Sequence, residues 1–193
     1  MPASAPGSAP ESRRMTRLET PRLVIRTFAP GDAEAWLALV NDPRVTRFLP
    51  PSPEATMDRF RDAIAARHAM ERELGYAIWA VDDKATGAFI GQCGMRPIDE
   101  GPVPEVELAY HYTAACWSRG YGTEAVVAVL AHGLGPLGLE RIVAVAMAEN
   151  IGSWRVMEKA GMHYQGVVDY FGLNGLRKYV ADRAWWAPPA GHW

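Results

Sequence analysis

Several features are scarce in this chain of 193 residues. Its two cysteines, Cys93 and Cys116, are too few for a disulfide framework, and its five histidines show no metal-ligand spacing. The 20 basic and 22 acidic residues leave a net charge of −2, which does not favour nucleic acid as a partner. Apolar runs are too short to span a membrane. We therefore expect reduced thiols, no metal, no nucleic-acid or membrane partner, and a cytoplasmic monomer or homodimer.

What is present fits one globular domain. The chain is 49% hydrophobic and 22% charged, which is ordinary for a protein with a sizeable core. Residues 1–16 begin with a stretch rich in Pro, Ala, Ser and Gly, and we expect them to be a disordered tail. Pro188 and Pro189 end the last strand pattern and begin a short tail, 188–193. The domain is predicted to cover 17–187.

Hydrophobic periodicity predicts strands and helices in the order βααβββ, then αβαββ. The expected helices cover 33–40, 54–74, 120–134 and 151–161. The expected strands cover 22–28, 76–83, 88–98, 105–113, 141–147, about 162–171 and 176–186. This order indicates an α+β fold with a mixed, mostly antiparallel sheet of about seven strands and about four helices.

The most informative segment is CWSRGYGTEA, residues 116–125, which joins a strand to a helix. Its glycines present backbone N–H groups at a helix N-terminus, where an anion such as pyrophosphate binds well. A plain tight turn is one alternative, since Gly-x-Gly alone is weak evidence. A dinucleotide fingerprint is another, but Glu140 precedes the next strand instead of ending it, and the second βαβ half is missing.

Four blocks in the right order make the chain resemble the Gcn5-related N-acetyltransferases (GNAT), especially the branch with the ribosomal-protein N-terminal acetyltransferases. The blocks are TPRLVIRTFAPGDAEAW, VELAYHYT, CWSRGYGTEA and NIGSWRVMEKAGM, and the resemblance covers about 18–187. It implies a sheet that is splayed between the fourth and fifth predicted strands. It also implies acetyl-CoA as acetyl donor and a primary amine as acceptor, either a protein N-terminus or a small molecule.

The resemblance also implies which residues bind the cofactor. Strand residues offer backbone groups to the pantetheine arm, the glycine turn holds the pyrophosphate, and Asn150 opens the closing helix. The expected contacts are Leu108, Ala109, Tyr110, His111, Tyr112, Trp117, Ser118, Arg119, Gly120, Tyr121, Gly122, Thr123, Asn150 and Ser153. Two positions depart from the family pattern. Trp117 replaces Gln or Arg, and Met157 replaces a tyrosine that acts as an acid in many members.

The expected chemistry needs a base for the amine and an acid for the leaving thiolate. The resemblance puts a strand glutamate near the acceptor cleft, so Glu107 is the first candidate for the base, and Glu105 on the same strand face is the reserve. Both could instead face solvent or pair with arginine. Ser153 is the first candidate for the acid, with Tyr164 or Tyr170 as alternatives; a simple capping or packing role for Ser153 stays open.

The sequence does not identify the acceptor amine. The segments expected to select it are 41–53 and 169–177. Asp42, Asp169 and Asp182 could attract a cationic amine, although isolated carboxylates are usually only solvated. The alternative function is a sensor that binds acetyl-CoA without turnover, which the missing tyrosine at Met157 makes conceivable.

Overall fold

The computed structural model describes residues 15–51, 53–99 and 103–191. Eight strands are present: β1 (Arg17–Glu19), β2 (Leu23–Arg26), β3 (Ile78–Asp83), β4 (Phe89–Ile98), β5 (Glu105–Tyr112), β6 (Arg141–Ala146), β7 (His163–Tyr170) and β8 (Leu173–Asp182). The helices are α1 (Ala33–Val40), α2 (Pro43–Thr46), α3 (Met57–Leu74), α4 (Tyr121–Leu134) and α5 (Ile151–Lys159).

All strands form one sheet in the order β1-β2-β3-β4-β5-β6-β8-β7. Each neighbouring pair is antiparallel except β5 and β6, which run parallel and are joined through α4. The predicted mixed α+β fold is confirmed. The counts differ by one short strand and one short helix: β1 has three residues and α2 has four, and such short elements leave no periodic pattern.

Helices cover both faces of the sheet. On one face α4 and α5 bury the main core, which includes Leu130 and Met157 together with Trp79 from the sheet. On the other face α1 and α3 pack Trp36 and Phe60 against the sheet. Because α4 follows β5 and α5 follows β6, the N-termini of both helices lie at the carboxyl end of the parallel pair.

Two local sequence signals can be compared with the structure. Gly75 ends α3 with φ of 84°, a left-handed conformation that glycine adopts without strain. Asp32 precedes α1, where an aspartate often caps a helix, but its side chain does not cap α1. Its carboxylate instead accepts hydrogen bonds from the Ala29 N–H at 2.7 Å and from Arg26 at 2.8 Å.

The predicted tails lie largely outside the described residues, since 1–14 and 192–193 are not described. Both therefore stay predictions. Within the predicted N-terminal tail, the Thr16 N–H donates to Glu71 at 2.6 Å, just before β1 begins. Among the described residues, no helix combines the length and apolar character needed to cross a membrane.

Candidate functional site

The candidate site begins where β5 and β6 part. Their ladder has a single register pair, Glu107 opposite Val143, so the strands diverge beyond it toward their carboxyl ends. The splay is thus at the predicted place, between the fourth and fifth predicted strands. An opening between two strands exposes backbone groups that a sheet normally pairs.

The register of β5 shows which backbone groups face this opening. The Thr113 N–H donates to the Ile90 carbonyl at 3.0 Å, and the β4–β5 register continues without a shift. Alternate residues of an antiparallel strand direct their backbone groups to opposite edges. The residues directed toward β6 are therefore Leu108, Tyr110 and Tyr112. The backbone groups of Ala109 and His111 face β4.

The glycine turn lies at the same end of the sheet. Gly120 precedes α4 with φ of 80°, and Ser118 has φ of 60°. None of the N–H groups of residues 118–123 has a hydrogen-bond acceptor within 15–51, 53–99 or 103–191. Free donors at the positive end of a 14-residue helix suit a phosphate, so these residues fit a cofactor that carries pyrophosphate.

Contacts with four side chains, of which Thr20 and Glu124 are buried, hold this turn in place. Glu124 in the first turn of α4 is buried, and its carboxylate accepts from the Arg22 guanidinium at 2.6 Å and from the Thr20 hydroxyl at 2.5 Å. Arg22 also donates to the Arg119 carbonyl at 2.9 Å. The Trp117 indole N–H donates to the Tyr112 carbonyl at 2.9 Å, which joins the turn to the end of β5. Trp117, which departs from the family pattern, therefore has a structural role in joining the turn to β5.

Asn150 and Ser153 lie at the start of α5, on the same side of the opening. The Asn150 side-chain oxygen accepts from the Ser153 N–H at 3.3 Å, so Asn150 caps α5. The Tyr110 hydroxyl donates to the Ser153 carbonyl at 2.9 Å and lies 3.0 Å from the Ser153 hydroxyl. These bonds connect β5 to α5, and burial raises the pKa of Tyr110 well above its usual value.

Glu107 lies on the opposite face of β5 from Tyr110. Its side chain is buried, and Oε2 accepts from Arg96 Nε at 2.6 Å. Burial raises the pKa of the Glu107 carboxyl, while the Arg96 charge opposes that shift. Arg96 is half-exposed and stacks 4.7 Å from the centre of the Phe171 ring. Glu107 is therefore a buried carboxylate beside a half-exposed cation.

A hydrogen-bonded network around Gln92 lies on the same face of the sheet and connects β4 and β5 to α1 and α3. Gln92 Oε1 accepts from Trp36 Nε1 at 3.2 Å and from Arg67 Nη2 at 3.1 Å. Because both partners can only donate, the Gln92 amide nitrogen faces His111 Nδ1, which is 2.9 Å away. Burial and the charges of Arg96 and Arg67 lower the pKa of His111 to about 4. His111 is thus neutral at pH 7 and carries its proton on Nε2. We call the residues Trp36, Arg67, Gln92, Arg96, Glu107 and His111 the acceptor-side groove, after the role that is proposed for them below.

The other predicted catalytic residues have different surroundings. Glu105 accepts from Lys178 Nζ at 2.6 Å and from the Tyr170 hydroxyl at 2.8 Å, so its charge is balanced. Tyr164 lies on the edge strand β7, largely exposed, with its ring near Tyr179. The structure therefore brings neither Tyr164 nor Tyr170 to Ser153, and it places Glu107 and Ser153 on opposite faces of the sheet.

Four residues of the acceptor-side groove were missed by sequence reasoning: Trp36, Arg67, Gln92 and Arg96. Arg96 is the register partner of Glu107, and Gln92 is the register partner of His111. A correct pairing of the two predicted strands would have found these two. Arg67 stands in a strongly charged helix, where nothing in its pattern distinguishes it from solvated arginines. Among the described residues, no group of three potential metal ligands occurs.

Comparisons with known proteins agree with this geometry. The family model described as the acetyltransferase (GNAT) domain matches residues 22–163. Uncharacterized N-acetyltransferase YnaD of Bacillus subtilis (strain 168) is 38% identical over 151 residues, which cover 77% of this chain and 84% of that protein. The uncharacterized protein YkkB of the same organism is 30% identical over 154 residues, which cover 79% and 88% respectively.

Solved structures share the fold. The GNAT-family acetyltransferase of Bacillus anthracis superposes with a TM-score of 0.73 at 22% identity, covering 88% of this chain and 99% of that one. RimJ of Mycobacterium smegmatis, in complex with CoA-disulfide, gives a TM-score of 0.72 at 17% identity, covering 87% and 86%. The family match over residues 22–163, together with this architecture, shows that the chain belongs to the GNAT family of acetyltransferases.

Proposed function

We propose that this acetyltransferase transfers the acetyl group of acetyl-CoA to a primary amine by direct attack, with Glu107 as the general base. The observation that carries the proposal is the parting of β5 and β6 beyond Glu107. On one side it leaves unpaired backbone groups beside a turn suited to phosphate. On the other side it opens to a buried carboxylate. The two reactants could meet between these sides.

The donor side is proposed to bind acetyl-CoA through backbone groups. The N–H groups of residues 118–123 would hold the pyrophosphate, and those of Tyr110 and Tyr112 would pair with the pantetheine amides as a neighbouring strand would. RimJ of Mycobacterium smegmatis, which shares this fold, has been solved with CoA-disulfide bound. When bound, acetyl-CoA supplies an acetyl thioester, so the acetyl C–S bond breaks as the C–N bond forms.

Glu107 is proposed to accept the proton that the amine must lose. An alkyl ammonium has a pKa of about 10.4, so freeing the amine at pH 7 costs roughly 4 to 5 kcal/mol. A positioned base typically contributes about 10² to 10⁴ in rate. The raised pKa of Glu107 improves it as a proton acceptor, and the Arg96 charge opposes that rise by favouring the ionised carboxylate. His111, with a pKa of about 4 and its Nδ1 bonded to Gln92, is a weaker base.

Ser153 is proposed to supply a proton to the leaving sulfur from its hydroxyl. Tyr110 lies 3.0 Å from that hydroxyl and orients it. Met157, at the position of the usual tyrosine acid, is 1% exposed and has no proton to give. This absence is the one observation that favours the alternative of a sensor without turnover.

The test is release of free thiol from acetyl-CoA across a panel of amines, with calorimetry of acetyl-CoA binding in parallel. The proposal predicts amine-dependent thiol release that Glu107→Gln abolishes. The sensor alternative predicts tight binding of acetyl-CoA with no thiol release for any amine. Failure to bind acetyl-CoA at all would contradict both.

A further inference from the structure

Arg67 is a partly buried cation for which the chain provides no counter-charge. Its guanidinium lies 4.6 Å from the centre of the Phe28 ring and 5.9 Å from that of Trp36. Nη1 is fully buried and has no hydrogen-bond partner, and no carboxylate of 15–51, 53–99 or 103–191 forms an ion pair with Arg67. A charge withdrawn from water without a partner is costly, and an anion from outside the chain would offset that cost.

The residues around Arg67 supply further positive charge and hydrogen-bond donors. They do not supply a negatively charged acceptor. Burial, followed by the Arg96 charge, lowers the pKa of Arg67 to about 10, so it stays protonated at pH 7. His111 uses Nδ1 toward Gln92, which leaves its Nε2–H without a partner among the described residues. The acceptor-side groove thus holds two guanidinium groups against one carboxylate, Glu107, which pairs with Arg96.

The three aspartates that the sequence analysis named as possible partners of a cationic acceptor already have other hydrogen-bond or ion-pair partners. Asp42 binds the Arg44 guanidinium at 2.7 Å, and Asp182 lies 3.3 Å from Arg141. Asp169 is exposed and accepts from the Gly175 N–H at 2.8 Å. A second positive charge on the acceptor would find no free carboxylate in the groove.

From these observations we propose that the acceptor is an amine that also carries an anionic group, a carboxylate or a phosphate, bound by Arg67 and the His111 Nε2–H. The inference rests on the proposed function, since it assigns the reacting amine to the Glu107 end of the groove. Glu107 and His111 are four residues apart on β5, a distance of about 13 Å. The amine and the anion are therefore separated by a spacer of several bonds.

The experiment uses a series of primary amines with a methylene spacer of rising length and a variable end group. The end group is a carboxylate, its uncharged carboxamide, a phosphate, or the matching alcohol. Thiol release from acetyl-CoA gives kcat/KM for each amine, and calorimetry gives the affinity of each for the CoA-loaded protein. The variants are Arg67→Met, which removes the charge at similar length, and Arg61→Gln as control. Arg61 lies on the same helix and is exposed, with only the exposed Asp58 as partner.

The proposal predicts that an anionic end group raises kcat/KM about ten-fold or more over its neutral counterpart, as expected for charge-assisted hydrogen bonds. Arg67→Met should remove this preference, and Arg61→Gln should keep it. The carboxylate and phosphate arms show which anion is preferred. Equal or better use of the neutral amines by the wild type would overturn the proposal, as would a preference that survives Arg67→Met.

Two further measurements distinguish failure of the proposed function from failure of the proposed role of Arg67. If no amine is acetylated although acetyl-CoA binds, the proposed function fails, and the calorimetric preference for anions still decides the role of Arg67. If Arg67→Met does not fold, Arg67→Lys takes its place. That variant keeps the charge but loses the fork geometry, and it should reduce the preference without removing it.

Discussion

The two sides of the opening between β5 and β6 present different kinds of functional group: backbone groups on one side and side chains on the other. On the donor side the functional groups are backbone N–H groups in a glycine turn and along a strand edge. On the acceptor side they are side chains from α1, α3, β4 and β5, joined through Gln92. A backbone site needs only a local conformation, whereas a side-chain site needs several distant segments in one place.

This difference predicts that a substitution can impair the function of one side and leave the other side unaffected. The donor side should depend on space and φ angles at the turn, and it should tolerate changes of charge in the groove. The acceptor side should depend on charge and pH. Four substitutions test this separation.

The largest effect is expected for Glu107→Gln. Removing the base should lower kcat/KM by about 10² to 10⁴ and abolish the acidic limb of the pH–rate profile. Because burial raises the pKa of Glu107, the wild-type limb should lie above the range of an ordinary carboxyl group, with activity lost as the pH falls. Glu140→Gln is the control, since Glu140 is 82% exposed and pairs only with Arg183. An unchanged limb in Glu107→Gln would reject the assignment.

The next effect is expected for Gly122→Trp. A Cβ at Gly122 would lie 3.5 Å from Tyr112 and from Val156, so a small side chain fits but a large one fills the space before the turn. We expect acetyl-CoA to bind about 10- to 100-fold more weakly, which corresponds to one lost charge-assisted hydrogen bond. Calorimetry measures this. Gly31→Trp is the control, because Gly31 is exposed with no atom within 4 Å of its would-be Cβ. Equal affinities in a folded Gly122→Trp would remove the turn from the donor site.

A smaller effect, confined to low pH, is expected for Arg96→Gln. The Arg96 charge opposes the rise in the pKa of Glu107, so its removal should raise that pKa further. The acidic limb should move to higher pH, so that kcat/KM falls on the acidic side of the profile and recovers as the pH rises. A limb that stays in place would indicate that the base is another group. In the wild type, the pKa of His111 is lowered to about 4, below the range of an ordinary imidazole.

The smallest effect is expected for Tyr110→Phe, which removes the bonds between β5 and Ser153. The loss of these two hydrogen bonds should lower the free energy of unfolding by about 1 to 3 kcal/mol, measured with denaturant. The affinity for acetyl-CoA should change little, since the backbone of Tyr110 is kept. A kcat that falls with Tyr110→Phe and equally with Ser153→Ala would support Ser153 as the proton donor. No change in either variant would leave the Ser153 hydroxyl with a packing role only, since Asn150 is the residue that caps α5.

The same contrast explains what could be predicted from the sequence. Gly120 and Gly122 in a strand-to-helix turn form a local pattern, and the turn lies where that pattern predicts. Asn150 and Ser153 follow from a second local pattern at the start of α5. The strand β1 was missed because three residues are stabilised by pairing with β2, which sequence periodicity does not report.

The acceptor side could be predicted only in part. Glu107 was identified through its strand, but its Arg96 partner depends on the register between β4 and β5. Arg67 becomes distinctive only when α3 packs over Phe28 and Trp36, which lie at least 31 positions away in the sequence. The role of a side chain that acts through tertiary contacts cannot be deduced from its local neighbours.

The most direct test of this separation is the affinity of Glu107→Gln for acetyl-CoA, measured by calorimetry beside its rate of amine acetylation. The proposed donor site contains no part of the Glu107 side chain, which faces the other side of β5 from Tyr110. We predict a Kd equal to that of the wild type together with the loss of acetylation. A Kd that weakens in proportion to the lost activity would contradict the account, because donor and acceptor would then share one site.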